Sequence, residues 1–258
     1  LEIENVENRL GIKFEALQRQ AIFEAFESGI LVLTGGPGTG KTTTLNAIIN
    51  LFENRNLKIE LAAPTGRAAK RITELTGRDA KTIHRLLEVE WGEEDSQKFA
   101  RNEKNPLDCD VIIIDEASMI DAILFDNLLK ALRLSCRIIL VGDSDQLPSI
   151  GAGNVLNDIL EADIFPSIRL KKVFRQARES LIVNNAHAII NGEEPQFQNK
   201  NSDCFFLQRS DKYQTVETVL ELCCERLPAA YNLNPVTDIQ LLCPSRMLDT
   251  GTVNFNNL

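Results

Sequence analysis

Residues 31–44 read LVLTGGPGTGKTTT, an apolar run from Leu31 to Leu33 that leads into Gly35, Gly36, Pro37, Gly38, Thr39, Gly40, Lys41, Thr42 and Thr43. Four glycines leave few Cβ atoms in the way, so consecutive backbone N–H groups can turn inward around an anion. Lys41 adds a point charge for the β- and γ-phosphates of a nucleoside triphosphate, and the Thr42 hydroxyl is a ligand for Mg²⁺. Such a loop needs a strand before it and a helix after it. Ile30 to Leu33 and Thr43 to Phe52 supply both, and the helix N-terminus adds its dipole.

Outward from this loop, apolar strand candidates alternate with helical ones. The strands are Ile30 to Thr34, Lys58 to Ala63, Val111 to Asp115, Arg137 to Gly142, Ile168 to Val173, Cys204 to Gln208 and Asp238 to Cys243. Helix candidates include Thr43 to Phe52, Ala122 to Leu132 and Glu179 to Ile190. Strands that are almost wholly apolar, separated by helices, predict an α/β fold with a parallel sheet covered on both faces, a P-loop NTPase architecture. Residues 88–107 break the alternation with charge and no clear period, and are expected to form an insertion, drawn as a small hairpin. Residues 191–202, NGEEPQFQNKNS, are polar and turn-rich and read as a connector.

Two further motifs carry chemistry. VIIIDE, Val111 to Glu116, is a buried strand ending in two acids, at the sheet edge where the second Mg²⁺ contact must originate. Asp115 is assigned to the metal, and Glu116, one residue beyond the strand, to orienting the attacking water as general base. IILVGDSDQLPSI, Ile138 to Ile150, brings a second polar loop to the same edge, where Gln146 can bond phosphate or lytic water in one state and release it in the next. Asp143 and Asp145 are either part of that sensor or formers of its turn.

Composition bounds the rest. The 258 residues are 43% hydrophobic, enough to bury a core and long enough for one large domain or two modest ones. Six cysteines lie scattered without metal-binding spacing, which predicts a reducing, cytoplasmic setting and no structural metal. No segment has the apolar length of a membrane span, and the N-terminus lacks a signal pattern. A net charge of −9 weighs against nucleic acid as a partner, yet the basic residues cluster. Arg67, Lys70, Arg71, Arg78, Lys81 and Arg85 form one island, and residues 169–178 carry five basic residues and no acid. These islands are either a confined nucleic-acid track or ordinary solvated helix faces.

The strings QRQAI, GGPGTGKTTT, APTGRAAKRI, TIHRLL, IIIDEASMID, LVGDSDQLPSIGAGNVL and LKKVFRQARES together resemble the ordered motifs of superfamily 1 DNA helicases, and most resemble the RecD-like branch, the exodeoxyribonuclease V alpha subunit type. The resemblance is dense from Gln18 to about Gly192. It implies ATP as the nucleotide, two RecA-like domains with ATP between them, and 5′-to-3′ movement on single-stranded DNA in recombination or repair. Duplex junctions and other recombination or nuclease subunits are the partners implied; a membrane is not. By the same resemblance Gln18 reads adenine, Pro64, Thr65, Gly66 and Arg67 form a DNA-contacting loop, Thr82 and His84 a further strand contact, and Arg175 reaches the γ-phosphate as the cleft closes. His84 has a second reading as a core or capping histidine.

The expected division is a first RecA-like domain over residues 1–172 and part of a second over residues 173–258. The later helicase motifs have no counterpart after LLCPSRMLDTGTVNFNNL, and the chain begins at Leu1, so the resemblance implies a truncated representative. The helicase part of a conjugative relaxase shares these motifs, and a P-loop ATPase switch that does not act on DNA is the reading from another class.

Overall fold

The computed structural model describes residues 2–91, 97–174, 179–197 and 202–258. Compact packing divides the chain into two units, Leu1–Gln196 and Phe197–Leu258. The helix after the VFRQ motif is grouped with the first of these units.

The first unit is built on a six-stranded, all-parallel sheet of order β3-β2-β6-β7-β1-β8. Its strands are β1 (Ile30–Gly35), β2 (Ile59–Ala63), β3 (Ala80–Thr82), β6 (Val111–Ile114), β7 (Arg137–Gly142) and β8 (Ser167–Leu170). The central strands are apolar along their whole length because both faces are covered, and successive side chains go to opposite faces. Leu31, Leu33, Val111, Ile113, Ile139 and Val141 pack into one core with α1 (Glu2–Leu10), α2 (Ala16–Glu27), α3 (Lys41–Asn54) and α4 (Gly66–Thr76). Val32, Ile112, Ile114, Ile138 and Leu140 pack into the other, with α5 (Ile83–Leu86), α6 (Ala122–Lys130) and α7 (Val155–Ala162). Ile112, Ile113 and Ile114 are 1% exposed or less, so each contributes about 1.5–3 kcal/mol of apolar burial.

Local chemistry sets the helix starts. Glu15 and Gln18 form a reciprocal capping box on α2, Thr65 caps α4, and Asp121 caps α6. Helix α3 has no side-chain cap; its N-cap is Gly40 at φ +84°. The expected insertion forms a hairpin, β4 (Val89–Trp91) paired antiparallel with β5 (Gln97–Phe99).

Strand β8 is shorter than the run Ile168 to Val173 suggested, because the chain leaves the sheet at Lys171 and crosses the phosphate loop, where the Phe174 N–H donates to the Gly38 carbonyl at 3.2 Å. It leads through residues 175–178 to α8 (Leu181–Ile190). The second unit contains α9 (Lys212–Leu220), a π-helical turn (Glu221–Arg226), α10 (Leu227–Tyr231) and α11 (Thr252–Asn257). The strands expected at Cys204 to Gln208 and Asp238 to Cys243 are not formed. A strand persists only where neighbours satisfy its backbone, and among the described residues neither segment has a paired partner.

Candidate active site

The parallel sheet brings the C-terminal ends of β1, β2, β6 and β7 to one edge, where ligands bind in α/β sheets. A cavity of about 500 Å³ lies there. Gly36 to Thr43 form its floor, Asp115, Glu116, Asp143 and Gln146 one wall, and Arg71, Leu75 and Phe174 the remainder. The phosphate loop, the DE pair and Gln146, separated by up to about a hundred residues in sequence, therefore meet around one space.

Because α3 is uncapped, its first N–H groups have no side-chain acceptor and face the loop, which suits them to an anion. The Lys41 ammonium rests on the carbonyls of Gly35 and Gly36, the latter at 3.1 Å, and the Thr39 hydroxyl donates to Gly36 at 2.8 Å. Gly40 is required by more than its positive φ: a Cβ there would come within 2.5 Å of Gln18 Nε2 and 2.8 Å of Phe174. Gln18 is buried against the loop, with its amide 3.4 Å from the Gly40 carbonyl and its oxygen accepting from Glu15. It is not the solvent-facing glutamine that a helix surface would carry.

Burial pushes the carboxyls of Asp115 and Glu116 above their ordinary range, and mutual repulsion adds to the rise at Glu116, while Lys41 and Arg71 pull both down. Glu116 also stands in the left-handed region at φ +54°, a strained conformation for a side chain of its size. The Asp115 carboxylate accepts the Glu116 N–H at 2.9 Å and so holds this turn. Two half-buried, adjacent carboxylates, with the Lys41 and Arg71 charges acting on both, are a donor set suited to a divalent cation shared with phosphates, as Mg²⁺ is held by few protein ligands. Among the described residues no group of three or more His, Cys, Asp or Glu side chains forms a metal cluster.

Asp143 is buried and accepts the Asp145 N–H at 3.1 Å, so it shapes the turn and lines the cavity at once. Asp145 turns away and pairs with Arg169 at 2.6 Å. The loop is tied to the end of β1 through Thr34 and Ser144 at 3.3 Å. Gln146 is exposed at the cavity wall. Arg175 lies outside the described residues.

The DNA-contact candidates share the same sheet edge. Pro64 and Thr65 follow β2, and Thr82 ends β3, in register with Ala63. Thr65 and Thr82 cap α4 and α5 through Ala68 and Arg85, at 3.2 and 3.1 Å. His84 is half-buried, its ring 6.2 Å from Phe99. The basic island divides: Lys70, Arg78 and Lys81 pair with Glu74, Glu53 and Glu60, whereas Arg67 is exposed and Arg71 faces the cavity. Sequence reasoning counted Arg71 with the island and missed its place beside the acids. The signal was its spacing, four residues beyond Arg67 and so on a neighbouring face of one helix.

Residues 18–152, just over half of the chain, match the family model described as an AAA domain. The chain belongs to that family. The curated proteins it resembles include an ATP-dependent RecD2 DNA helicase and several RecBCD enzyme subunits RecD. The ATP-dependent RecD2 DNA helicase of Deinococcus radiodurans is 44% identical over 171 residues, covering 66% of this chain and 23% of that protein. The RecBCD enzyme subunit RecD of Mycobacterium tuberculosis is 33% identical, covering 93% and 47%. The chain thus spans a quarter to a half of the length of these relatives. A structure of two Pif1 helicases at forked duplex DNA superposes with a TM-score of 0.52 at 22% identity, covering 82% of this chain and 52% of that one. Pif1 from Candida albicans gives 0.53 at 25%, covering 72% and 46%. The likeness in fold is to the RecA-like P-loop NTPase core.

Proposed function

We propose that this chain hydrolyses ATP as part of a RecD-like DNA helicase and couples the reaction to 5′-to-3′ movement on single-stranded DNA in recombination or repair. The observation that carries the reading is the convergence of the phosphate loop, Asp115, Glu116 and Gln146 on one cavity with Arg71 at its wall. The name of the Deinococcus radiodurans relative, a DNA helicase, supports the DNA.

In this scheme Lys41 leaves the Gly35 and Gly36 carbonyls for the β- and γ-phosphates, a stronger acceptor than two neutral carbonyls. The first N–H groups of α3 hold the phosphates in line. Thr42 and Asp115 would hold Mg²⁺, which would supply neutralisation of phosphate charge. Glu116 accepts a proton from the attacking water, and its raised proton affinity suits that role. Gln146 orients that water or senses the γ-phosphate, Gln18 borders the adenine, and Arg175 completes the charge stabilisation. Water attacks the γ-phosphoryl group, and ADP leaves with its proton balance met by Glu116 and solvent; the protein contributes position and charge rather than a covalent intermediate. Pro64, Thr65, Arg67, Thr82 and His84 line the DNA track along the β2–β3 edge. Partner subunits of a nuclease or recombination complex and a cytoplasmic setting complete the reading, and residues 173–258 are read as the beginning of a second RecA-like domain.

The test is steady-state ATP hydrolysis by this chain with and without single-stranded DNA. Turnover that rises with DNA is expected. Turnover indifferent to DNA, with no DNA binding, would replace this reading by an ATPase switch.

A further inference from the structure

Helix α8 carries a histidine that no step of hydrolysis uses. His187 lies in the same compact unit as the phosphate loop, and its ring fills the space in front of Gly36. A Cβ on Gly36 would stand 2.7 Å from His187 Cε1 and 3.5 Å from Nε2, so a side chain there would displace the ring. The Nε2 atom is sealed from solvent and has no hydrogen-bond partner among the described residues. An unpaired buried polar atom is costly, and its persistence calls for a state of the molecule that supplies the partner.

The helix that presents this ring is clamped. Ser180 caps it by accepting from the Val183 N–H at 3.2 Å, and the buried Asn185 exchanges two bonds with the Gln196 backbone at 2.7 and 2.8 Å. Across from it, Lys41 holds the Gly35 and Gly36 carbonyls. A polyphosphate draws Lys41 away, because a charge-assisted bond to an anion outweighs bonds to neutral carbonyls. The loop then loses a donor beside the imidazole.

We propose that His187 is a positioning residue of the ATP site: its ring braces Gly36, and its Nε2–H takes over as donor to the phosphate loop's carbonyls when bound nucleotide draws Lys41 off them. His187 does not line the cavity, so it acts through the loop backbone and not on the nucleotide. The inference rests on the ATP-site reading.

The chain has two histidines, so imidazole resonances of ¹⁵N-histidine-labelled protein fall into two sets, assigned with His187→Gln. Adding ADP with Mg²⁺ is expected to shift the His187 Nε2 resonance and slow exchange of its proton, while His84 stays unmoved. His187→Phe keeps a ring without the donor and should weaken ADP binding about three- to tenfold, the worth of one neutral hydrogen bond, with KM for ATP rising more than kcat falls. His187→Gln, which restores a donor, should bind within about twofold of the parent. ADP that saturates the parent, followed by fluorescent-nucleotide competition, while the His187 resonance stands still would overturn the proposal. So would a Phe variant that binds as tightly as the parent. Failure of the parent to bind ADP at all would strike the ATP-site reading first and this inference with it.

Discussion

Lys41 bonds only two carbonyls of its own loop among the hydrogen bonds its ammonium makes to described residues, so its removal disturbs little of the fold and much of the chemistry. Lys41→Ala is expected to cut ATP hydrolysis by at least about 10²-fold, on the scale of removing one charge-stabilising donor from an active site. Circular dichroism should be unchanged; phosphate release at the parent's rate would refute the assignment. Glu116 gives a second, signed expectation. Burial raises its proton affinity in the folded state, so its contribution to stability is present below its unfolded pKa and is lost as pH rises through the folded value. In metal-free protein Glu116 should therefore subtract from the melting temperature as pH climbs from the acid range to neutral, against the opposite contribution of Glu7, Glu53, Asp108 and Asp238, whose carboxyls their partners hold below the ordinary range. Compared with the parent, Glu116→Gln should gain melting temperature toward pH 7 and not at acid pH, while slowing hydrolysis about 10²-fold or more with ATP still bound. A Gln variant that melts below the parent at pH 7 in chelator would show that the carboxylate is not strained by burial. Asp115→Asn should instead weaken Mg²⁺-dependent nucleotide binding.

At the scale of elements, α4 combines three roles in eleven residues: Thr65 caps it, Arg67 stands exposed at its first turn, and Arg71 reaches the cavity. These roles separate by substitution. Thr65→Ala should cost about 1 kcal/mol of stability through the lost cap, so its effect on DNA is mixed with folding. Arg67→Ala leaves the cap intact and should weaken single-strand binding alone, lowering the slope of log K against log salt by about 0.7 for one lost phosphate contact. Arg71→Ala should leave DNA binding in place and impair ATP binding. An unchanged salt slope in Arg67→Ala, measured by anisotropy with labelled oligonucleotide, would remove Arg67 from the track. The sheet edge was legible in the sequence because strands such as VIII and ILVLTG are apolar on both faces and end in Gly or acid. Strand β3 was not, since AKT is three half-buried residues whose strand character comes from pairing with β2. Phe174 and His187 were equally hidden. Their contacts to the loop arise from a crossing segment and a helix more than 130 residues downstream of it, which no local period encodes.

On the scale of the whole molecule, hydrolysis and unwinding rest on different parts of the chain. The residues of the ATP cavity all belong to the first unit, whose sheet and two cores hold them. In the second unit, α9, α10 and α11 bury no residue, and no strand forms among its described residues. Directional movement needs two bodies that grip DNA alternately as ATP binds and leaves, and a body without a sheet or a buried core offers the second grip no rigid lever. These 258 residues are therefore expected to bind Mg²⁺ and ATP and to hydrolyse the nucleotide, yet to separate the strands of a 5′-tailed duplex slowly or not at all. A fluorescence strand-separation assay run beside phosphate release, on one preparation and at one salt concentration, compares the two activities directly. Unwinding that keeps pace with ATP turnover would show that residues 197–258 already form the second grip, and would overturn the separation argued from their lack of core.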